Sequence, residues 1–141
     1  MPGPAALAKQ EYYGFSGNQF WPIMAALFGA RGPLTYAQKL RLLRTHRVAL
    51  WDTIRSCRRV GASDGAIRDV VANDLPALVR RHPGIRRIFL NGTLAATLYR
   101  THASPQISLP TMTLPSTSPA HATRSFEEKL KRWGAVKDAV Q

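Results

Sequence analysis

The chain has 141 residues, 45% of them apolar, and its 20 lysines and arginines against 8 acidic residues give a net charge of +12. This length and apolar content suffice for a hydrophobic core, which excludes a disordered basic tail. Cys57 is the only cysteine, so an intramolecular disulfide and a cysteine-based metal site are excluded and a reducing, intracellular setting is indicated. The positive charge favours a polyanionic partner, DNA or RNA before an anionic membrane surface, although an arginine-rich proteome gives the same imbalance.

Other classes are excluded by what the sequence lacks. No pair of the four histidines has helical metal-ligand spacing, so we expect no metal. The longest apolar run, residues 20–30, is interrupted by Pro22 and is too short to cross a bilayer. The first residues lack the basic and apolar regions of a signal peptide. We therefore expect a cytoplasmic protein that has no membrane partner.

Residues 12–22 form an unusual segment in which aromatic residues surround two glycines and Asn18. Aromatic rings offer stacking surfaces, glycines allow close backbone approach, and an asparagine both donates and accepts hydrogen bonds. On composition alone, an aromatic loop packed on its own core is favoured over a binding site.

The next elements are predicted as a helix, a second helix and a strand. Residues 20–28 favour a helix with Pro22 tolerated in its first turn. Thr35 is a suitable N-cap for an amphipathic helix that ends near His46. The apolar run 48–51 is typical of a strand buried on both faces, and Asp52 follows at its carboxyl end.

The second half of the chain continues the alternation. Residues 61–64 indicate a turn, and Ile67, Val70 and Val71 predict a short apolar helix face. Further elements are a helix capped by Asp74, a strand at 85–90 ending at Asn91, a helix at 94–98, a strand within 108–114, and a last helix opened by a Ser125–Glu128 capping box.

This alternation predicts a single α/β domain over residues 1–141 with a parallel sheet. In such sheets ligands bind beyond the carboxyl ends of the strands. Asp52, Asn91 and the loop at 115–119 each follow a predicted strand, so we expect them to converge on one edge.

Three co-linear motifs carry a resemblance that covers nearly the whole chain. They are Met1-Pro2-Gly3 with Tyr12-Tyr13 and Asn18-Gln19-Phe20-Trp21; Leu90-Asn91-Gly92; and Pro115-Ser116-Thr117-Ser118-Pro119-Ala120 followed by Lys129 and Trp133. In this order and spacing they resemble the uracil-DNA glycosylase superfamily, and specifically its hypoxanthine-DNA glycosylase branch. Residues 48–52 and 61–64 are similar to that branch as well.

The resemblance implies a three-layer α/β/α fold with a short parallel sheet, and a DNA glycosylase acting in base excision repair. Such an enzyme is monofunctional, uses no cofactor, and hydrolyses the N-glycosidic bond of a deaminated base. Hypoxanthine is the expected base, with uracil or xanthine as further candidates. The expected partner is DNA carrying that base, and we expect a monomer associated with the nucleoid.

The same resemblance implies the site residues. Asn18 is expected to be catalytic, positioning the water or the base, and Asn91 to hydrogen-bond the flipped base. Tyr13 and Phe20 are expected to stack on that base or to line its pocket. Ser116, Thr117 and Ser118 are expected to contact DNA, as is Lys129 on the last helix. For the Pro/Ser/Thr loop the alternative is a disordered or O-glycosylated linker, and for the lysine a solvated helix face.

The sequence also departs from the family pattern. The chain begins at the methionine of the first motif, so we expect it to be truncated at its N-terminus and to lack the first central strand. Residues 15–17 replace a pattern that contains proline and arginine, and His121 stands where asparagine is common. These departures leave two alternatives to the glycosylase, namely a non-catalytic nucleic-acid-binding module and an inactive truncated enzyme.

Overall fold

A computed structural model describes residues 11–14, 16–59, 67–119 and 123–141. The predictions for residues 1–10, for the turn at 61–64 and for His121 concern residues outside these ranges. Along the described residues the elements are α1 (Phe20–Leu27), α2 (Tyr36–Thr45), β1 (Ile54–Arg59), β2 (Ile67–Ala72), α3 (Leu75–Arg81), β3 (Ile88–Asn91), α4 (Thr93–His102), a 3-10 turn (Ser104–Gln106), β4 (Thr111–Leu114) and α5 (Phe126–Val140).

The described residues form two compact units. One runs from Asp52 to Thr113, and the other combines the described residues up to Trp51 with Leu114–Gln141. Strands β3 and β4 form a short parallel pair connected through α4, which confirms the expected α/β pattern. Strands β1 and β2 pair antiparallel instead, with Ile54 opposite Ala72 and Arg59 opposite Ile67. Only residues 60–66 connect β1 to β2, too few for the crossover that a parallel pair requires.

Two local predictions are wrong. Residues 48–51 form no strand, and Trp51 is 53% exposed, so this apolar run is not buried on both faces. Residues 67–71 lie in strand β2 rather than in a helix. Their spacing fits a helix face, but Ile67, Val70 and Val71 are β-branched and lose side-chain freedom in a helix, which favours a strand.

The core of the Asp52–Thr113 unit surrounds Tyr99. The buried residues Leu90, Ala96, Tyr99 and Ala103 form one cluster, with Ile88 and Ile107 among the partly buried neighbours. The Tyr99 hydroxyl has no hydrogen-bond partner within the described ranges, and burial raises the pKa of this phenol above its usual 10.0. A buried hydroxyl without a partner loses its hydration and gains nothing in return.

Replacing Tyr99 by phenylalanine should therefore raise the free energy of unfolding by about 1 kcal/mol, since the change removes only this unpaired hydroxyl. Urea denaturation of both proteins measures the difference. Tyr36→Phe is the matched control, because the Tyr36 hydroxyl accepts a hydrogen bond from the Tyr12 N–H at 3.1 Å. We expect that control to be destabilised, and equal destabilisation of both variants would contradict the prediction.

The other unit is helical. Helix α1 packs against α5 and α2, and its buried side chains are Phe20, Trp21, Ile23 and Met24. The predicted N-caps at Thr35 and Ser125 are confirmed. Thr35 and Gln38 form a complete capping box on α2, and at the start of α5 Ser125 accepts a hydrogen bond from the Glu128 N–H, which is one of the two bonds of the predicted box. None of the described helices combines the length and apolar character needed to span a membrane.

Candidate functional site

The segment before α1 is fixed at Tyr12. The Tyr12 carbonyl accepts a hydrogen bond from Trp21 Nε1 at 2.8 Å, and its N–H donates to the Tyr36 hydroxyl at 3.1 Å. Tyr13 follows with a φ of 54°, a left-handed conformation that is uncommon for a bulky residue. Backbone strain of this kind costs on the order of 1–3 kcal/mol and concentrates at functional sites.

An aromatic cluster lies beneath this turn. The Tyr13 ring stacks on Phe20 with centroids 4.2 Å apart, and Trp21 and Trp133 make T-shaped contacts with Phe20 at centroid distances of 4.9 and 5.8 Å. Phe20 is only 2% exposed, whereas Tyr13 is half-buried. Tyr13 is therefore the outer ring of the cluster, and Phe20 is the inner one.

Asn18 is held at the entrance to α1. Its Oδ1 accepts a hydrogen bond from the Phe20 N–H at 2.9 Å, and the side chain is half-buried. This bond satisfies one of the N–H groups that a helix start leaves unpaired, and it sets the orientation of the amide. One lone pair of Oδ1 and the NH₂ group are not used by this bond.

The serine loop (residues 115–119) is attached to the Asn18 segment and to α5 through its carbonyl oxygens. Thr117 O accepts from the Gln19 N–H at 2.9 Å, Pro115 O accepts from Trp133 Nε1 at 2.9 Å, and Ser118 O accepts from Lys129 Nζ at 3.5 Å. Within the loop, the Ser118 N–H donates to Ser116 Oγ at 3.1 Å. The loop is thus ordered by specific contacts, which disfavours a disordered linker.

Two of the expected DNA contacts are buried. Thr117 is 1% exposed and Lys129 is 2% exposed, and burial lowers the pKa of the Lys129 ammonium below its usual 10.5. Ser116 and Ser118 are half-buried. The sequence pattern on α5 did not distinguish the buried lysine from its exposed neighbours Lys131 and Arg132.

Asn91 is the last residue of β3, in the Asp52–Thr113 unit. Gly92 follows as the N-cap of α4, and its φ of 93° is a backbone angle that favours glycine. Asn91 is half-buried at this strand-to-helix junction. Its approach to Asn18 stays a prediction. Asp52 was expected at the carboxyl end of a strand, but residues 48–51 form none, so the reason for expecting Asp52 at this edge is lost.

The sequence did not predict three groups that fix the site by hydrogen bonds: the Gln19 N–H, the Trp133 indole N–H and the Tyr36 hydroxyl. The one signal in the sequence was the four-residue spacing of Lys129 and Trp133, which places both on one face of a helix.

A cavity of about 430 Å³ lies at the other end of α1, lined in part by Phe28, His46 and Lys137. The described residues contain no cluster of histidine, cysteine and acidic side chains that could hold a metal.

A solved structure shows the class to which this fold belongs. A solution NMR structure from Methanosarcina acetivorans, described as a candidate uracil DNA glycosylase, matches the chain with a TM-score of 0.79 and 30% identity. The match covers 96% of this chain and 86% of the other. The fold is therefore that of the uracil-DNA glycosylase superfamily.

Sequence relatives identify the branch. The hypoxanthine DNA glycosylase of Methanosarcina acetivorans is 31% identical over 137 residues, covering 96% of this chain and 85% of that protein. The hypoxanthine DNA glycosylase of Methanosarcina barkeri is 29% identical over 93 residues, covering 65% and 59% of the two chains. No family model matches the chain. The chain belongs to the hypoxanthine DNA glycosylase family, as the motif resemblance implied.

Proposed function

We propose that the protein is a monofunctional DNA glycosylase that excises hypoxanthine from DNA, with uracil and xanthine as further substrates. The observation that carries the proposal is the hydrogen bond between the Gln19 N–H and Thr117 O. This bond ties the segment that carries Asn18 directly to the serine loop. The group that acts on a flipped nucleotide must keep a fixed position relative to the loop that meets the duplex. This hydrogen bond links the two segments directly.

In the proposed reaction the target nucleotide leaves the base stack, which costs on the order of a few kcal/mol and is easiest for a damaged or mismatched base. The C1′–N bond then breaks, and its electron pair leaves with the base. Water adds to C1′ and releases a proton. Asn18 orients this water or the departing base through the NH₂ group and the lone pair that its bond to the Phe20 N–H leaves unused.

The base is proposed to stack on Tyr13, because that ring is the outer one and Phe20 supports it from within. Asn91 is proposed to hydrogen-bond the base edge. Hypoxanthine, uracil and xanthine all present an N–H beside a carbonyl, and an amide has the complementary acceptor and donor. Adenine presents the reverse arrangement, an amino group beside a ring-nitrogen acceptor, so an amide held in one orientation distinguishes hypoxanthine from adenine. Guanine and thymine share the N–H and carbonyl pair, so their exclusion requires the shape of the pocket.

Ser116 and Ser118 are proposed to contact DNA phosphates. Ser116 Oγ accepts from the Ser118 N–H, which leaves the Ser116 hydroxyl hydrogen for another acceptor. The Pro115 carbonyl points to Trp133, and since the two groups of a trans peptide point in opposite directions, the Ser116 N–H faces away from that indole. Both donors suit a phosphate oxygen. Thr117 is too buried for such a contact and is proposed to anchor the loop.

The test uses duplex oligonucleotides that carry one hypoxanthine, uracil or xanthine, with an undamaged duplex as the control. We expect the hypoxanthine strand to acquire an alkali-labile abasic site fastest and the undamaged strand to stay intact. Salt-sensitive DNA binding with no excision of any of the three bases would instead establish a non-catalytic binding module. We also propose that the protein works as a monomer near the nucleoid, and light scattering with and without DNA tests the first point.

A further inference from the structure

Among the described lysines, only Lys129 is almost completely buried, and its ammonium group contacts the Ser118 carbonyl of the serine loop. We propose that Lys129 is a positioning residue: its ammonium group fixes the Ser118 carbonyl and thereby sets the conformation in which the serine loop meets DNA. This inference rests on the proposed function, because it concerns the loop that would contact the substrate.

The geometry separates this role from a phosphate contact. Lys129 is 2% exposed and its Nζ lies 3.5 Å from Ser118 O, on the inner side of the loop. Trp133, one helical turn further along the same face of α5, donates to Pro115 O at 2.9 Å. The two side chains therefore hold both ends of one loop, while Lys131 and Arg132 on the same helix remain exposed to solvent.

If only the stability of the fold is considered, a lysine at this buried position is unfavourable. Burial of an ammonium group is unfavourable, and replacing a buried charge with an apolar side chain of similar volume is often neutral or stabilising. Lys129 also lies in the first turn of α5, where the helix dipole disfavours a cation. Among the contacts described, the buried ammonium group contacts only the Ser118 carbonyl, so its position is better explained by what it does for the serine loop than by a gain in stability.

The experiment compares Lys129→Met, which keeps the apolar stem, and Lys129→Gln, which keeps an uncharged donor, with the wild-type chain. Lys137→Met is the matched control, since it removes an exposed charge from the same helix. Three quantities are measured for each: the single-turnover excision rate at saturating hypoxanthine DNA, the dependence of log Kd on log salt concentration, and the melting temperature.

For Lys129→Met we expect a rate about 10–100-fold lower, because displacement of a positioning contact by about 1 Å can cost that much. The melting temperature should not fall, and the salt slope should equal that of the wild-type chain. A direct phosphate contact would instead reduce the slope by about one unit, as loss of one neutralised phosphate does. That reduction, or an unchanged rate, would overturn the proposal. The excision rate of Lys129→Gln should lie between those of the wild-type chain and Lys129→Met. If Lys129→Met does not fold, Lys129→Gln becomes the deciding variant.

A separate readout distinguishes failure of this inference from failure of the proposed function. If the wild-type chain excises no base, the proposed function fails, and hydrogen exchange of the Ser118 amide and the Trp133 indole decides the inference. Faster exchange in Lys129→Met than in Lys137→Met supports it, because both hydrogens are held by the loop conformation. Equal exchange in the two variants overturns it.

Discussion

Replacing Asn18 by alanine is expected to lower the single-turnover rate of base excision by about 10²–10³-fold, the usual effect of removing one group that stabilises a transition state. The expectation follows from the position of the amide, which is held at the start of α1 by the Phe20 N–H and tied to the serine loop through Gln19. Alanine keeps the backbone and removes both polar atoms. The rate is measured on a hypoxanthine duplex at saturating enzyme.

The control is Asn18→Asp, because asparagine also stabilises the helix start and alanine loses that bond. Loss of such a side-chain hydrogen bond costs about 0.5–1.5 kcal/mol of stability. A carboxylate oxygen can still accept from the Phe20 N–H and is favoured at a helix N-terminus, so this variant should keep the wild-type melting temperature. A near-normal rate in Asn18→Ala, or a loss that disappears at temperatures where the variant is fully folded, would remove Asn18 from the catalytic role.

Phe20→Ala is expected to lower the free energy of unfolding by about 3–5 kcal/mol, the range for deleting a buried aromatic ring. Phe20 is 2% exposed and contacts Tyr13, Trp21 and Trp133, so its removal leaves a cavity that the neighbouring rings cannot readily fill. Urea denaturation followed by tryptophan fluorescence measures the loss.

Phe28→Ala provides the matched comparison, since Phe28 follows the same helix but is half-buried and stacks on His46. The same ring is removed in both variants, so the difference reports burial. Equal losses would show that the aromatic cluster at the start of α1 carries no special share of the stability. Because the loss of stability is expected to be larger at Phe20, the excision activity of Phe20→Ala must be measured below the melting temperature of that variant.

The parts of the structure that depend on neighbouring residues were predictable from the sequence. The caps at Thr35 and Ser125 follow from side chains that reach backbone groups three residues away, and the resulting helices are as expected. Strand β3 and helix α4 meet at Asn91-Gly92, where the change of direction requires a glycine. Such local rules do not depend on the rest of the fold.

The helix predicted at 67–71 failed on local grounds, because its β-branched residues favour a strand, whereas the other failures depend on tertiary structure. The run at 48–51 is apolar enough for a buried strand, but whether an apolar run is covered is decided by distant segments, and Trp51 remains exposed. The same holds for Lys129, which lies between acidic and basic residues typical of a solvated helix face and is nevertheless buried. Of the candidate site, the residue types were predictable, but the inward direction of Lys129 and the left-handed backbone of Tyr13 were not.

The inward direction of the serine-loop carbonyls has an electrostatic consequence for the opposite surface. Residues 115–119 contain no lysine or arginine, yet this loop is proposed to approach a polyanion. With the oxygens of Pro115, Thr117 and Ser118 turned towards donors in the protein, the negative ends of those peptide dipoles are withdrawn from the outer surface. Oriented backbone dipoles of this kind act as fixed partial charges. Of these three peptide units, one lacks an N–H because residue 119 is proline, and the Ser118 N–H already donates to Ser116 Oγ. The Ser116 N–H is therefore the positive dipole end that this loop can offer to a phosphate group.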